Sequence, residues 1–195
     1  MTRHDLRRKL QQIRRNLTPE QQEAAGLQVA SILEQRLQGL PPSQTTVAVY
    51  KSFAGELPTQ PIIEMLWKLG FQVVLPVLHP FTKGHLLFLR YSPDTPLAMN
   101  KYDIEEPVLN VQNVVPLDNI QVLLMPLVGF DNRGNRLGMG GGYYDRTLAQ
   151  WYNGHRPNLS PIGLGYNEQR VEEILVESWD IPLSEIITPE KHWYF

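Results

Sequence analysis

Glycines and charged side chains are concentrated in residues 134–145, which read GNRLGMGGGYYD. Glycine lets a backbone approach a ligand closely and adopt positive φ, so successive N–H groups can converge on phosphate oxygens. Arg133 and Arg136 add positive charge, and the predicted helix that follows attracts anions to its N-terminus. A glycine-rich turn alone often only reverses a chain, but arginines, tyrosines and an aspartate accompany this one. The segment therefore predicts a phosphate-binding loop.

This loop differs from two widespread nucleotide-binding motifs. No Gly-Lys-Ser or Gly-Lys-Thr ends it, as a P-loop requires, and Tyr143 stands where a dinucleotide fingerprint needs its third glycine. The chain also has no Gly-x-Ser-x-Gly nucleophile elbow. We therefore expect chemistry that depends on positioning phosphates, with no side-chain nucleophile.

Three carboxylates occupy sequence positions that suit binding of a ligand or a metal ion. Asp145 ends the glycine-rich segment and could hold a magnesium ion against phosphates, or it could complement the dipole of the following helix. Asp180 follows the bulky Trp179 and, taken alone, is more typical of a turn. Glu56 comes directly after a predicted strand, where it could bind a polar heterocycle with N–H donors or cap the helix that begins near Thr59.

The first fifteen residues are strongly basic, with Asp5 as their single acidic residue. Apolar residues recur there at helical spacing, so the charges lie on an amphipathic helix. The basic residues are Arg3, Arg7, Arg8, Lys9, Arg14 and Arg15. They could bind the phosphates of a nucleotide, a nucleic acid or a membrane, or form a solvated helix face. The rest of the chain is mildly acidic, which argues against nucleic-acid binding by the whole domain.

Predicted strands alternate with predicted helices along the remaining chain. The strands are expected at 45–50, 71–76, 85–91, 121–126, 161–166 and 186–187, the helices at 18–38, 59–69 and 144–152, and a polar loop at 100–107. This order predicts an α/β fold: a single three-layer α/β/α domain over residues 1–195, with a largely parallel central sheet and a basic N-terminal helix. Ligands bind beyond the carboxyl ends of such strands, where we expect the loops 51–59 and 128–145 and the stretch after Gly165.

The composition of the chain excludes some kinds of chemistry and bears on where in the cell the protein is expected. It contains no cysteine, which excludes disulfides and thiolate chemistry, and no apolar run of the roughly 20 residues that span a bilayer. No secretory signal is visible, so we expect a cytoplasmic protein and, by default, a monomer without membrane or nucleic-acid partners. The histidines His4, His79, His85, His155 and His192 show no metal-ligand spacing, and we interpret them as structural or exposed.

Residues 135–145 closely resemble the signature of the 5-formyltetrahydrofolate cyclo-ligase family, also called methenyltetrahydrofolate synthetases. The resemblance extends over nearly the whole chain. It includes the basic first helix and the segments 50–59, 102–107, 126–131, 163–166, 179–180 and 188–189. The central motif is highly specific, whereas the others are persuasive mainly through their order.

This resemblance implies an ATP-dependent reaction that requires magnesium and converts 5-formyltetrahydrofolate to 5,10-methenyltetrahydrofolate, ADP and phosphate. The formyl oxygen attacks the γ-phosphate to form an iminophosphate, N10 closes onto the activated carbon, and phosphate leaves. Such a reaction needs positioning and charge neutralisation, which agrees with the absence of a nucleophile motif.

The resemblance also implies roles for individual residues. Arg136 and Tyr144 would be catalytic, and Asp145 and Asp180 would position magnesium. ATP would contact Arg3, Arg7, Arg136, Leu137, Gly138, Met139, Gly140, Gly141, Gly142, Tyr143 and Tyr144. The folate would contact Lys51, Phe53, Glu56, Met139, Gly140, Gly141, Gly142 and Tyr143.

The chain departs from the family pattern in two places. Arg3 stands where the first helix usually carries a lysine, and an arginine can still bind phosphate through two N–H groups. Met139 and Gly141 occupy positions that can be basic in relatives, so backbone N–H groups would supply more of the phosphate binding here. Two alternatives stay open: a divergent relative such as a sugar-phosphate isomerase or acyl-CoA transferase, and a non-catalytic module that binds RNA through its first helix.

Overall fold

A computed structural model describes residues 1–154 and 158–195 of the chain. The helices are α1 (Arg3–Arg15), α2 (Pro19–Arg36), α3 (Gln60–Leu69) and α4 (Tyr143–Tyr152). The strands are β1 (Thr46–Ala48), β2 (Gln72–Leu78), β3 (Leu86–Arg90), β4 (Leu97–Met99), β5 (Glu105–Pro107), β6 (Val122–Pro126), β7 (Gly129–Phe130), β8 (Arg136–Leu137), β9 (Ser160–Leu164), β10 (Glu185–Thr188) and β11 (Lys191–Tyr194).

Seven of these strands form one sheet in the order β11-β10-β9-β6-β1-β2-β3. The pairs β1–β2, β1–β6, β6–β9 and β9–β10 are parallel, while β3 and β11 run antiparallel at the two edges. The prediction of an α/β fold with a largely parallel sheet is confirmed. From β1 the chain continues to β2 on one side and later returns to β6 on the other, which creates a crevice above the carboxyl end of β1.

Helices cover both faces of the sheet, as expected from central strands that are buried along nearly their whole length, such as β6. On one face α2 and α3 pack through residues such as Leu33 and Ile62 against Val47. On the other face Leu148 of α4 packs near Leu123. This is the predicted three-layer arrangement, with α1 placed outside the layers.

Local signals locate several helix ends correctly. Thr18 Oγ1 accepts from the Gln21 N–H at 3.2 Å, and the Thr18 N–H donates to Gln21 Oε1 at 2.9 Å, so α2 begins with the predicted capping box. Helix α3 ends at Gly70, whose φ of +83° is the left-handed conformation expected of a glycine cap.

Two short hairpins and one edge strand were not predicted. Residues 100–107 were expected to form a loop, but residues 105–107 form β5 and pair with β4, so that only residues 100–104 are the loop of a hairpin. The glycine-rich region contains a second short hairpin, β7–β8, and β11 extends the sheet beyond the last predicted strand. These strands are too short for alternation of apolar residues to reveal them. In the described residues, no helix has the length and apolar character that crossing a membrane requires.

Candidate active site

A cavity of about 580 Å³ opens above the carboxyl ends of β1, β2 and β6. The two predicted loops, 51–59 and 128–145, contribute to its wall, and Trp179 and Asp180 come from the chain after β9. The hairpin β4–β5 and the first helix complete the wall with residues that include Tyr102 and Arg7. The cavity therefore lies where a parallel sheet of this topology is expected to bind ligands.

The glycine-rich loop forms one side of the cavity and leads directly into α4. Gly140 and Gly142 have φ values of +99° and +66°, conformations that other residues adopt only with strain. A Cβ on Gly141 would lie 2.8 Å from the Tyr143 ring, so this position also has no room for a side chain. Because α4 begins at Tyr143 without a side-chain cap, the N–H groups of its first turn are free to bind an anion.

Arg136 joins the start of this loop to its end. Its Nη2 donates to Asp145 Oδ1 at 2.5 Å, while its Nε is buried and has no partner among the described residues. The sequence predicts a loop for residues 128–145 and therefore places Arg136 outside the core. That expectation is wrong for Arg136, which belongs to β8 and is only 5% exposed. A buried guanidinium with an unused N–H is suited to binding an anionic ligand.

Two arginines of α1 face the same cavity. Arg3 forms an ion pair with both carboxylate oxygens of Asp180. Arg7 donates from Nε to the Gly138 carbonyl oxygen at 2.8 Å, and burial together with the charge of Arg3 lowers its pKa. The first helix therefore brings positive charge to the glycine-rich loop.

The remaining basic residues of α1 divide into two groups. Arg8, Lys9 and Arg15 are exposed to solvent, as a solvated helix face would be. Arg14 is fully buried against the loop that carries Glu56. The interpretation as a solvated helix face therefore fits Arg8, Lys9 and Arg15 but not Arg14.

Glu56 is a buried carboxylate in the cavity wall, beside Arg14 at the opposite end of α1 from Arg3. It accepts from the Phe53 N–H at 3.3 Å, and Arg14 Nη1 lies 3.9 Å from its Oε1. Burial raises the pKa of Glu56 from 4.5 to about 7, and the charge of Arg14 opposes this rise. Thr59 is the N-cap residue of α3 and no side chain caps it, so the helix-capping alternative for Glu56 is wrong.

Tyrosines surround this carboxylate and line the cavity. Burial raises the pKa of Tyr50 and of Tyr144 well above the usual value, with the charge of Glu56 as the next cause, so both phenols stay protonated. The Tyr50 hydroxyl is buried without a partner among the described residues. Near the cavity mouth the hydroxyls of Tyr102 and Tyr143 lie 3.1 Å apart, which joins the β4–β5 hairpin to the glycine-rich loop.

Asp145 and Asp180 both line the cavity, and each is paired with an arginine. Asp180 also accepts from the Glu177 N–H at 2.8 Å, so its oxygens are more fully engaged than those of Asp145. Across residues 1–154 and 158–195 no three His, Asp or Glu side chains converge to form a complete metal site. Two carboxylates still fit magnesium, which usually takes one or two protein ligands and completes its shell with phosphates and water. His155, one of the histidines interpreted as structural or exposed, lies outside the described residues.

The cavity brings together nearly all of the residues singled out from the sequence. Those in its lining are Arg3, Arg7, Lys51, Phe53, Glu56, Arg136, Gly138, Met139, Gly140, Gly141, Gly142, Tyr143, Tyr144, Asp145 and Asp180. Leu137 is placed elsewhere, since its side chain packs with Leu10 and Val128 in a small core under α1.

Sequence reasoning missed several lining residues. Tyr50, Tyr102, Trp179 and the hairpin residue Glu106 all line the cavity. Trp179 is 66% exposed, although large aromatic side chains are usually buried. Tyr50 ends a predicted strand directly before the loop that carries Glu56. This position at a strand end could have identified Tyr50 as a lining residue.

Comparisons with known proteins agree with this architecture. The profile of the 5-formyltetrahydrofolate cyclo-ligase family matches residues 1–189. The 5-formyltetrahydrofolate cyclo-ligase of Escherichia coli is 51% identical over 186 residues, which are 94% of this chain and 98% of that protein. The Haemophilus influenzae cyclo-ligase is 48% identical over 189 residues, 95% of this chain and 96% of its own length.

Solved structures lead to the same family. The 5,10-methenyltetrahydrofolate synthetase of Aquifex aeolicus superposes with a TM-score of 0.79 and 28% identity, covering 100% of this chain and 93% of that one. The corresponding Mycoplasma pneumoniae enzyme gives a TM-score of 0.75 and 25% identity, covering 97% and 99%. The chain is therefore an enzyme that belongs to the 5-formyltetrahydrofolate cyclo-ligase family.

Proposed function

We propose that this enzyme uses ATP and Mg²⁺ to convert 5-formyltetrahydrofolate to 5,10-methenyltetrahydrofolate, releasing ADP and phosphate. One observation carries the proposal: a single cavity has an arginine- and glycine-rich end beside the N-terminus of α1 and a buried carboxylate beside Arg14, further along the same helix. The first end suits a polyphosphate and the second suits a heterocycle rich in N–H donors. The two co-substrates therefore fit into one cavity with their reacting groups near its middle.

ATP binds at the arginine- and glycine-rich end. Arg3 and Arg7 neutralise phosphate charge, and N–H groups of the 138–144 loop and of the α4 N-terminus cradle phosphate oxygens. Arg136, buried with an unused Nε, stabilises charge on the transferring phosphoryl group. Leu137 supports this loop through packing and does not reach the cavity.

5-Formyltetrahydrofolate binds with its pterin ring toward Glu56. In its ionised form this carboxylate accepts hydrogen bonds from ring N–H and amino groups. Lys51 and Phe53 border the same end, and residues 139–143 line the pocket from the glycine-rich loop.

Asp145 and Asp180 are the residues suited to hold Mg²⁺, directly or through water. The ion would supply positive charge that neutralises the β- and γ-phosphate oxygens as phosphoryl transfer begins. Since each aspartate is paired with an arginine in the free protein, the same acids also orient Arg136 and Arg3.

The reaction has two steps. The formyl oxygen attacks the γ-phosphorus, the bond to the bridging oxygen breaks, and ADP leaves. N10 then adds to the formyl carbon and loses its proton, and the C–O bond breaks to release phosphate. The protein contributes orientation and charge stabilisation. Tyr144, held protonated by burial, is a hydrogen-bond donor beside the reacting groups.

The direct test is an absorbance assay at the 5,10-methenyl band at mildly acidic pH. Purified protein is mixed with 5-formyltetrahydrofolate, ATP and Mg²⁺, and each component is omitted in turn. A rise that requires all three supports the proposal, and stoichiometric ADP should accompany it. A folded protein that binds ATP without any rise would overturn it and favour the divergent-relative alternative.

The near full-length similarity to cyclo-ligases favours this activity over the RNA-binding alternative. An RNA-binding module would bind RNA with steep salt dependence and would ignore folates. We also propose that the enzyme acts as a monomer in the cytoplasm, which size-exclusion chromatography and cell fractionation would test.

A further inference from the structure

Helix α1 carries a third arginine toward the interior. Arg3 and Arg7 reach the phosphate end of the cavity, while Arg14 lies under the loop that holds Glu56. Its side chain is 1% exposed, which is unusual for arginine, and the proposed mechanism gives it no role.

Arg14 lies against the Glu56 carboxylate in a nearly dry environment. The side chain of Glu56 is 3% exposed, and Arg14 Nη1 is 3.9 Å from Glu56 Oε1. Arg14 Nη2 donates to the Ala54 carbonyl oxygen at 2.9 Å, which fixes the guanidinium beneath the loop. Its Nε and Nη1 are buried without hydrogen-bond partners among the described residues. Burying a guanidinium that lacks hydrogen-bond partners lowers the stability of the folded state. We therefore expect Arg14 to contribute to function and not to stability.

The other groups that face Glu56 supply no positive charge. Tyr50 follows β1, Tyr144 belongs to α4 and Tyr166 follows β9, and all three are neutral phenols whose pKa is raised by burial. Tyr166 donates its hydroxyl to the Glu56 carbonyl oxygen at 3.2 Å and leaves the carboxylate free. Arg14 is therefore the cation that this carboxylate faces among the described residues.

We propose that Arg14 is a positioning residue that favours the ionised form of Glu56 and directs its carboxylate into the cavity, so that it can bind the pterin. This inference rests on the proposed role of Glu56 in folate binding. It gives α1 two tasks, because the same helix supplies phosphate-binding arginines at one end and supports the folate-binding carboxylate at the other.

The balance of charges around Glu56 supports this role. Burial raises the pKa of Glu56 to about 7, and Arg14 is the first opposing influence. Removing Arg14 should raise the pKa further, so that the carboxyl is mostly protonated at pH 7, where about half of it is ionised in the wild type. A protonated carboxyl loses acceptor capacity for the pterin N–H groups.

The experiment measures equilibrium binding of 5-formyltetrahydrofolate without ATP between pH 5.5 and 9. Arg14→Met should shift the rise of folate affinity to higher pH by at least about one unit, so binding at pH 7 weakens at least about fivefold and recovers at pH 9. Arg14→Lys should keep most of the affinity. Arg15→Met, which removes an exposed charge from the neighbouring position, should change nothing. The KM for ATP should stay the same in each variant.

A double-mutant cycle separates this role from simple packing. Glu56→Gln should bind folate weakly at every pH, and adding Arg14→Met to it should cause no further loss. If Arg14→Met alone fails to fold, the double variant should fold, since both buried charges are then gone. Unfolding of the double variant, or equal loss of affinity at every pH in Arg14→Met, overturns the proposal. Wild-type protein that neither binds nor converts the folate would instead overturn the proposed function.

Discussion

The guanidinium of Arg136 lies 2.5 Å from the carboxylate of Asp145, and this ion pair spans the whole glycine-rich loop. It ties β8 to the first turn of α4, so the loop between them is held at both ends. The same two residues are the ones we expect nearest to the transferring phosphoryl group and its metal ion. The contact that fixes the loop conformation therefore also sets the charge at the reaction centre.

Arg136→Lys should lower kcat by about two orders of magnitude while the protein stays folded. Lysine keeps the positive charge but lacks the planar set of N–H groups, so it cannot hold Asp145 and stabilise a phosphoryl oxygen together. Steady-state assays at saturating ATP and folate measure this loss.

Arg133→Lys is the matched control, because Arg133 is exposed in the β7–β8 turn and does not line the cavity. Its kcat should equal that of the wild type. An Arg136→Lys variant with normal turnover would remove Arg136 from the reaction.

Gly140→Ala should raise the KM for ATP strongly. Its φ of +99° forces an L-residue into strain of about 1–2 kcal/mol, and relaxation of that strain would turn loop N–H groups away from the phosphates. Gly39→Ala provides the comparison, since Gly39 has a φ of +88° and open space around it far from the site. Thermal unfolding should show similar destabilisation in both variants, with normal ATP kinetics in Gly39→Ala alone. Normal ATP kinetics in Gly140→Ala would contradict a phosphate-binding role for this backbone.

The features that sequence predicted best are those encoded locally. Thr18, Pro19 and Gln21 define the start of α2 through a capping box, and short apolar runs identify the central strands. The glycine-rich loop could be located because its composition departs sharply from that of ordinary turns. Much of the site follows from these elements, since parallel strands present their carboxyl ends on the same edge.

Long-range packing determines the features that sequence could not predict. Arg14 and Arg15 are adjacent and identical in type, yet the first is buried beneath the Glu56 loop and the second is exposed. Leu137 lies within the motif but points into the core under α1, while Tyr50 lies outside it and lines the cavity. A single sequence does not show which face of a helix packs against a loop that is far away along the chain.

Tyr50→Phe should leave the free energy of unfolding unchanged or raise it slightly. Its hydroxyl is buried without a partner among the described residues, so removing it loses no hydrogen bond. Tyr166→Phe should instead cost about 1 kcal/mol, because the Tyr166 hydroxyl donates to the Glu56 carbonyl oxygen. Denaturant unfolding of the two variants measures the contrast. A cost for Tyr50→Phe as large as that for Tyr166→Phe would show that the Tyr50 hydroxyl has a partner in solution.

Glu56 should make the folded protein less stable as pH rises. Its pKa is raised from 4.5 to about 7 in the folded state, so between these values the folded protein holds a proton that the unfolded chain has released. By linkage, stability then falls with rising pH through this interval, by up to about 3 kcal/mol in total. Glu56→Gln keeps the shape without a titrating group. The stability of this variant relative to wild type should therefore increase from pH 4.5 to above 7 and then level off. Denaturant unfolding at several pH values measures this difference, and a difference independent of pH would mean that burial does not raise the pKa of Glu56.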